Sequence, residues 1–129
     1  MEYLITNTAN QTLRLTLDEA RQYYATPFTH YLLIITHEEN SSVGNSLSQV
    51  AVVTAENQRI TTLQVTTVGL TLSGRYRYEV YGQNSASNLL PTNVSVVGIC
   101  EKGLLELTNS TEYYEVPSIN ISNVVIYNG

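Results

Sequence analysis

The side chains that could do chemistry here are few and badly placed for it. Nucleophilic catalysis needs a nucleophile, a base and a group that orients the base. The candidate bases are His30 and His37, both in one short segment, and Asp18 is the only aspartate. Serine and threonine occur throughout, so a triad assembled from them carries no information. His37-Glu38-Glu39 offers metal-ligand side chains, but no second histidine stands at ligand spacing, and the run reads as a solvated loop rim. Glu101 and Glu106 could serve as an acid–base pair, yet both fit the outer face of a strand pair. No glycine-rich phosphate loop occurs. Cys100, the single cysteine, lies among Val97, Ile99 and Leu104 and reads as a buried, inert thiol that forms no intrachain disulfide. The expectation is no catalytic residue, no metal site, no cofactor and no obligatory small molecule.

Composition narrows the partners. The 129-residue chain is one domain by length, with 43% hydrophobic residues, enough to close a core. Charged residues make up 13%, against the usual ~25%, so the polar surface is built from Thr, Ser, Asn and Gln. Such a surface repels neighbouring copies weakly and hydrogen-bonds readily, which suits packing against partners and equally suits a carbohydrate-facing role. A net charge of −5 with Lys102 as the single lysine argues against nucleic acid, whose sequence-independent affinity comes from cation contacts. Arg75 and Arg77 share one strand face and are expected to pair with carboxylates on the next strand. No segment reaches membrane-span length, and the Met1–Ile5 start lacks a basic n-region. A soluble product of the cytoplasm is expected, so the Asn-x-Ser/Thr triplets carry no weight.

The elements that must position these residues are strands. Gly74-Arg75-Tyr76-Arg77-Tyr78-Glu79-Val80-Tyr81 alternates strictly, with Tyr76, Tyr78 and Val80 on one face and Arg75, Arg77 and Glu79 on the other. Thr12 to Leu17 alternates too, burying three leucines. Asp18 to Gln22 reads as one helical turn capped by Asp18 and stopped by Tyr23-Tyr24 and Pro27. Tyr31 to Thr36 is a continuous apolar run, as in a strand covered on both faces. Gln49–Thr54 and Thr61–Thr66 form a hairpin around Glu56 to Arg59. A polar loop from Gly82 to Ser95 leads to Val96–Cys100, a Glu101-Lys102-Gly103 turn with Gly103 at positive φ, and Leu104–Leu107. About seven short strands with turn signals every ten residues or so describe an all-β sandwich. Residues 1–108 make that domain. Residues 109–129 are either its last edge strand or an arm that clasps a neighbouring subunit, with Pro117 unsuited to a central strand.

Ten tyrosines and no tryptophan are the remaining signal. Tyr81, Tyr23-Tyr24 and Tyr113-Tyr114 cannot all point inward, and exposed tyrosines mark protein interfaces and sugar platforms. The candidate interface is therefore Tyr81, Tyr113, Tyr114, Ile119, Ile121, Val125 and Tyr127.

Gly74-x-Tyr76-x-Tyr78-x-Val80-Tyr81, then Ser87-Asn88-Leu89-x-Pro91, then Glu101-x-Gly103-Leu104-Leu105, resembles small virion proteins of tailed bacteriophages of Bacteroidetes hosts, crAss-like phages included. The Leu13-x-Leu15-x-Leu17 strand, Tyr31 to Ile34 and the closing Val125 to Gly129 fit the same layout. The resemblance implies an immunoglobulin-like antiparallel β-sandwich present in many copies per particle. Its partners would be the major capsid protein or neighbouring virion subunits. It implies an auxiliary capsid protein on the head, with a head-tail connector or tail component as the alternative. A carbohydrate-binding or adhesin module is the alternative of a different class.

Overall fold

In the computed structural model, residues 2–40, 44–57 and 59–109 are described. They form β1 (Glu2–Ile5), β2 (Gln11–Leu15), α1 (Asp18–Tyr23), β3 (His30–His37), β4 (Ser46–Asn57), β5 (Ile60–Val65), β6 (Gly74–Gln83) and β7 (Val96–Thr108). The expected all-β fold is present. The strands make one mixed seven-stranded sheet in the order β1-β7-β6-β3-β4-β5-β2, curled almost into a barrel. β1 runs parallel to β7 and every other pairing is antiparallel. β4 is the corner: its first half pairs with β3 and its second with β5, and a register shift follows Val53.

Period-two alternation explains the core. Leu13 and Leu15 on β2, Tyr31, Leu33 and Ile35 on β3, Leu63 and Val65 on β5, and Tyr76, Tyr78 and Val80 on β6 all point inward and are buried. Leu105 and Leu107 on β7 complete the ring, and Leu17, Phe28 and Leu70 close its ends. Each such side chain contributes about 1.5–3 kcal/mol on burial. The continuous run of β3 is covered on its outer face too: Leu32 is fully buried, with Tyr81 and Val50 as its cross-strand neighbours. On the outer face of β6, Arg75 stands opposite Glu106 and Glu79 opposite Lys102, but Arg77 faces Leu104, and among the described residues neither arginine comes within ion-pair distance of the carboxylate expected for it.

Where strands part, amide side chains take over the ladder. Between the outermost strands, Gln11 Oε1 accepts from the Ile5 N–H (2.7 Å) and its Nε2 donates to the Ile5 carbonyl (2.9 Å). Gln11 Nε2 also donates to the Thr8 carbonyl and to the hydroxyl of buried Thr67. Gln49 does the same where β5 ends, accepting from Thr66 N–H and donating to its carbonyl, both at 2.8 Å. A planar amide offers an acceptor and two N–H donors, which covers the one donor and one acceptor that a strand neighbour supplies. The Asn- and Gln-rich composition thus has a structural use.

Three expectations are corrected. Residues 96–107 are not two strands around a turn: β7 runs unbroken through Glu101-Lys102-Gly103, and Gly103 is not at positive φ. Gly103 is needed because a Cβ there would lie 2.8 Å from the hydroxyl of Tyr78, its cross-strand partner. Leu17, not Asp18, holds the position before α1, and the helix starts without a side-chain cap. Finally, β1 adds a parallel strand where no element was expected. The arm or edge strand expected at 109–129 lies, from residue 110 onward, outside the described residues.

Candidate functional site

The residues singled out for chemistry do not converge. His37 is not on a solvated rim: it is only 7% exposed, correcting the expectation for that segment, while Glu38 and Glu39 are exposed beside it. Its Nδ1 accepts from the N–H groups of Glu39 and Asn40, and its Nε2 faces the Ser73 carbonyl at 3.3 Å. Tyr76 packs edge-on against the ring at 4.8 Å. Both nitrogens are thus used in pinning the β3–β4 and β5–β6 connections together. His30 bonds the neighbouring Thr29 hydroxyl. Among the described residues no three His, Cys, Asp or Glu side chains gather as a metal site.

Glu101 departs from the outer face on which it was expected. It stands opposite inward-facing Val80 and accepts a 2.9 Å hydrogen bond from the Tyr78 hydroxyl. Burial first, and that hydrogen bond second, push the Tyr78 phenol well above its ordinary value. Glu106 alternates outward, so the two carboxylates are on opposite faces of β7.

Cys100 and Val97 are extra residues in β7. The register with β6 steps over each of them, and the resulting bulges turn both against the core. Burial pushes the Cys100 thiol from 9.0 up to about 11. Thiolate is the reactive form, so alkylation by iodoacetamide at pH 7.5 is expected to run about a hundredfold slower than an unperturbed thiol and to rise with pH. A rate equal to that of free cysteine would contradict this environment.

The loop between β6 and β7 is the most organised exposed feature. Asn84 N–H bonds the Ser95 carbonyl at its base, and Asn84 Nδ2 bonds the Pro27 carbonyl. Fully buried Gln83 donates to the Ser85 and Asn88 carbonyls and accepts from Asn88 Nδ2. Ser85 Oγ accepts from the Ser87 and Asn88 N–H groups, and Asn88 brackets Leu90 through its N–H and carbonyl. Asn93 closes the turn onto Ser95. This frame presents three apolar side chains to solvent: Leu89, Leu90 (63% exposed) and Val94 (98% exposed).

No family model, no curated protein and no solved structure matches this chain.

Of the expected interface, Tyr81 is described. It is half-buried beside Leu32, and its hydroxyl donates to Glu79 Oε1 at 3.0 Å. Tyr113, Tyr114, Ile119, Ile121, Val125 and Tyr127 lie outside the described residues. Leu89, Leu90 and Val94 are exposed apolar residues outside the expected interface. The signal for them was an apolar Leu-Leu pair before Pro91 inside an otherwise polar loop, where no core could receive it. Among the described residues, no helix is long and apolar enough to cross a membrane.

Proposed function

We propose that this chain is a non-enzymatic structural protein of a tailed-phage virion, an auxiliary capsid protein that decorates the head and docks on the major capsid shell in many copies. The observation that carries this reading is the β6–β7 loop. Apolar side chains held out on a hydrogen-bonded frame lose little further freedom when a partner covers them, so their burial goes into affinity. The low charge and the resemblance of the β6, loop and β7 motifs point the same way. On this reading the two halves of the sheet that meet at β4 are the layers of an immunoglobulin-like sandwich, and the segment after residue 109 contributes a second contact to a neighbouring subunit. The protein is made in the bacterial cytoplasm and ends in the particle.

Co-sedimentation with assembled capsids tests this. The wild-type protein is expected to pellet with them, and L90D/V94D to lose affinity by about tenfold or more while its unfolding midpoint stays put. Indifference of the wild type to capsids, with binding to isolated tails instead, would replace the head assignment by the connector or tail one.

A further inference from the structure

Beyond β1, one edge of β7 has no neighbouring strand among the described residues, because β1 pairs only with Leu105 to Thr108. Two clefts lie along this edge. One, of about 530 Å³, is lined by Glu2, Arg14, Thr16, Tyr78 and Glu101 among others. The second, of about 680 Å³, runs between α1 and β7 past Glu19, Tyr23, Tyr24 and Ile99. Thr16 and Glu101 line both, so they join into a single groove.

One end of the groove is aromatic. Tyr23 is 81% exposed, and its ring meets Tyr24 edge-on at 5.0 Å. Tyr24 is fixed: its hydroxyl donates to the Ile99 carbonyl at 2.6 Å, and its ring lies over Gly98, where a Cβ would come within 2.4 Å. Tyr23 is thus a largely bare aromatic face on a rigid support. The other end is polar. Glu101 takes the Tyr78 hydroxyl on Oε2, and among the described residues nothing occupies Oε1. Arg14 has no ion pair or hydrogen bond among the described residues.

We propose that this groove binds a neutral oligosaccharide, with Tyr23 stacking on a pyranose face and Glu101 and Arg14 holding ring hydroxyls. Planar carboxylate and guanidinium groups each offer two in-plane sites that match a vicinal diol. An apolar peptide fits less well, because it would strip water from Glu2, Arg14 and Glu101 without pairing them. Glu19 is paired with Arg59 at 3.4 Å, and Glu2 and Glu101 against Arg14 leave the groove negative, which repels uronic and sialic acids. This inference is independent of the virion placement.

Titration of the full chain with maltotriose, cellotriose, mannotriose and a glucuronate-containing trisaccharide, followed by amide chemical shifts, tests it. At least one neutral trisaccharide is expected to saturate at about 10 mM, with shifts along β7 and α1. Y23A is expected to weaken binding about tenfold or more, and Y3A, on the outward face of β1, to leave it unchanged. E101Q is expected to retain the neutral sugar within a few-fold and to admit the acidic one. No saturable shift with any neutral trisaccharide, binding that survives Y23A, or preference for the acidic sugar would each overturn the proposal. None of these outcomes bears on capsid co-sedimentation.

Discussion

Replacing Gln11 by alanine is expected to destabilise the fold by about 2–4 kcal/mol, a large effect for a side chain in a four-residue seam. β1 and β2 are the two outermost strands, and no ladder joins them. The amide of Gln11 stands in for it, serving both the N–H and the carbonyl of Ile5. The Ile5 carbonyl and the Thr8 carbonyl keep Thr67 as a donor when Gln11 is cut back. Among the described residues the Ile5 N–H keeps no acceptor, and an unpaired, partly buried donor costs about 1–3 kcal/mol beyond the lost bonds. Q11E separates this from a simple loss of volume. It retains an acceptor for the Ile5 N–H but sets a carboxylate oxygen against the Ile5 and Thr8 carbonyls. Those carbonyls favour the protonated acid, raising the folded-state pKa above the unfolded one. Stability of Q11E is therefore expected to be greatest in acid and to fall as pH rises through the folded-state pKa. Urea unfolding across pH 4 to 8 reads both effects, on the order of the magnitudes above. If Q11A unfolds at the wild-type midpoint, the seam is not held by this side chain.

The seam also marks how far the sequence could be read. Local alternation identifies β2 and β6 and the inward faces of Leu13, Leu15, Tyr76 and Tyr78, because a period of two is a property of each strand by itself, and β3 is legible as an unbroken apolar run. What escapes is decided across strands. Glu101-Lys102-Gly103 has turn composition, yet Gly103 is small because Tyr78 faces it from β6. Glu101 counts as outward when residues 96–100 and 104–107 are numbered as separate strands, and as inward once β7 is continuous. His37 looks like part of an acidic loop because nothing in its own segment indicates that Ser73 and Tyr76 enclose it. β1 has four residues, too few to show a period, and its partner is a hundred residues away. The polar clamps are the least legible of all. Gln11 and Gln49 are unremarkable in sequence, and their roles follow only from where two strands diverge.

The β6–β7 loop stands on an equally non-local device, and G82A is expected to break it at a cost of about 3 kcal/mol. Gly82 has an ordinary extended backbone, so alanine brings no conformational penalty there. Space is the obstacle. A Cβ at Gly82 would lie 2.6–2.7 Å from three atoms of the Phe28 ring. That ring is buried and cannot retreat: Tyr31 stands edge-on to it at 5.6 Å, and the Arg21 guanidinium sits 5.0 Å over its face. Arg21 is itself tied to the Tyr31 hydroxyl (2.9 Å) and to the Phe28 carbonyl (3.1 Å). Displacing Phe28 therefore loosens α1 from the barrel end as well as the core beneath it. Phe28 and Gly82 also flank the Pro27–Asn84 and Thr29–Gln83 hydrogen bonds that tie the loop base to the chain before β3. F28L should recover part of the loss, giving a coupling energy of about 1 kcal/mol or more between the two positions. Gly44 is the contrast: it sits at φ +97 with nothing within 4 Å, so G44A strains only the backbone, by about 1 kcal/mol. If G82A and F28L add independently, ring and glycine are not in contact. If they couple, G82A should also weaken capsid co-sedimentation, because the ring that excludes a side chain at Gly82 helps set the height at which Leu90 and Val94 are presented.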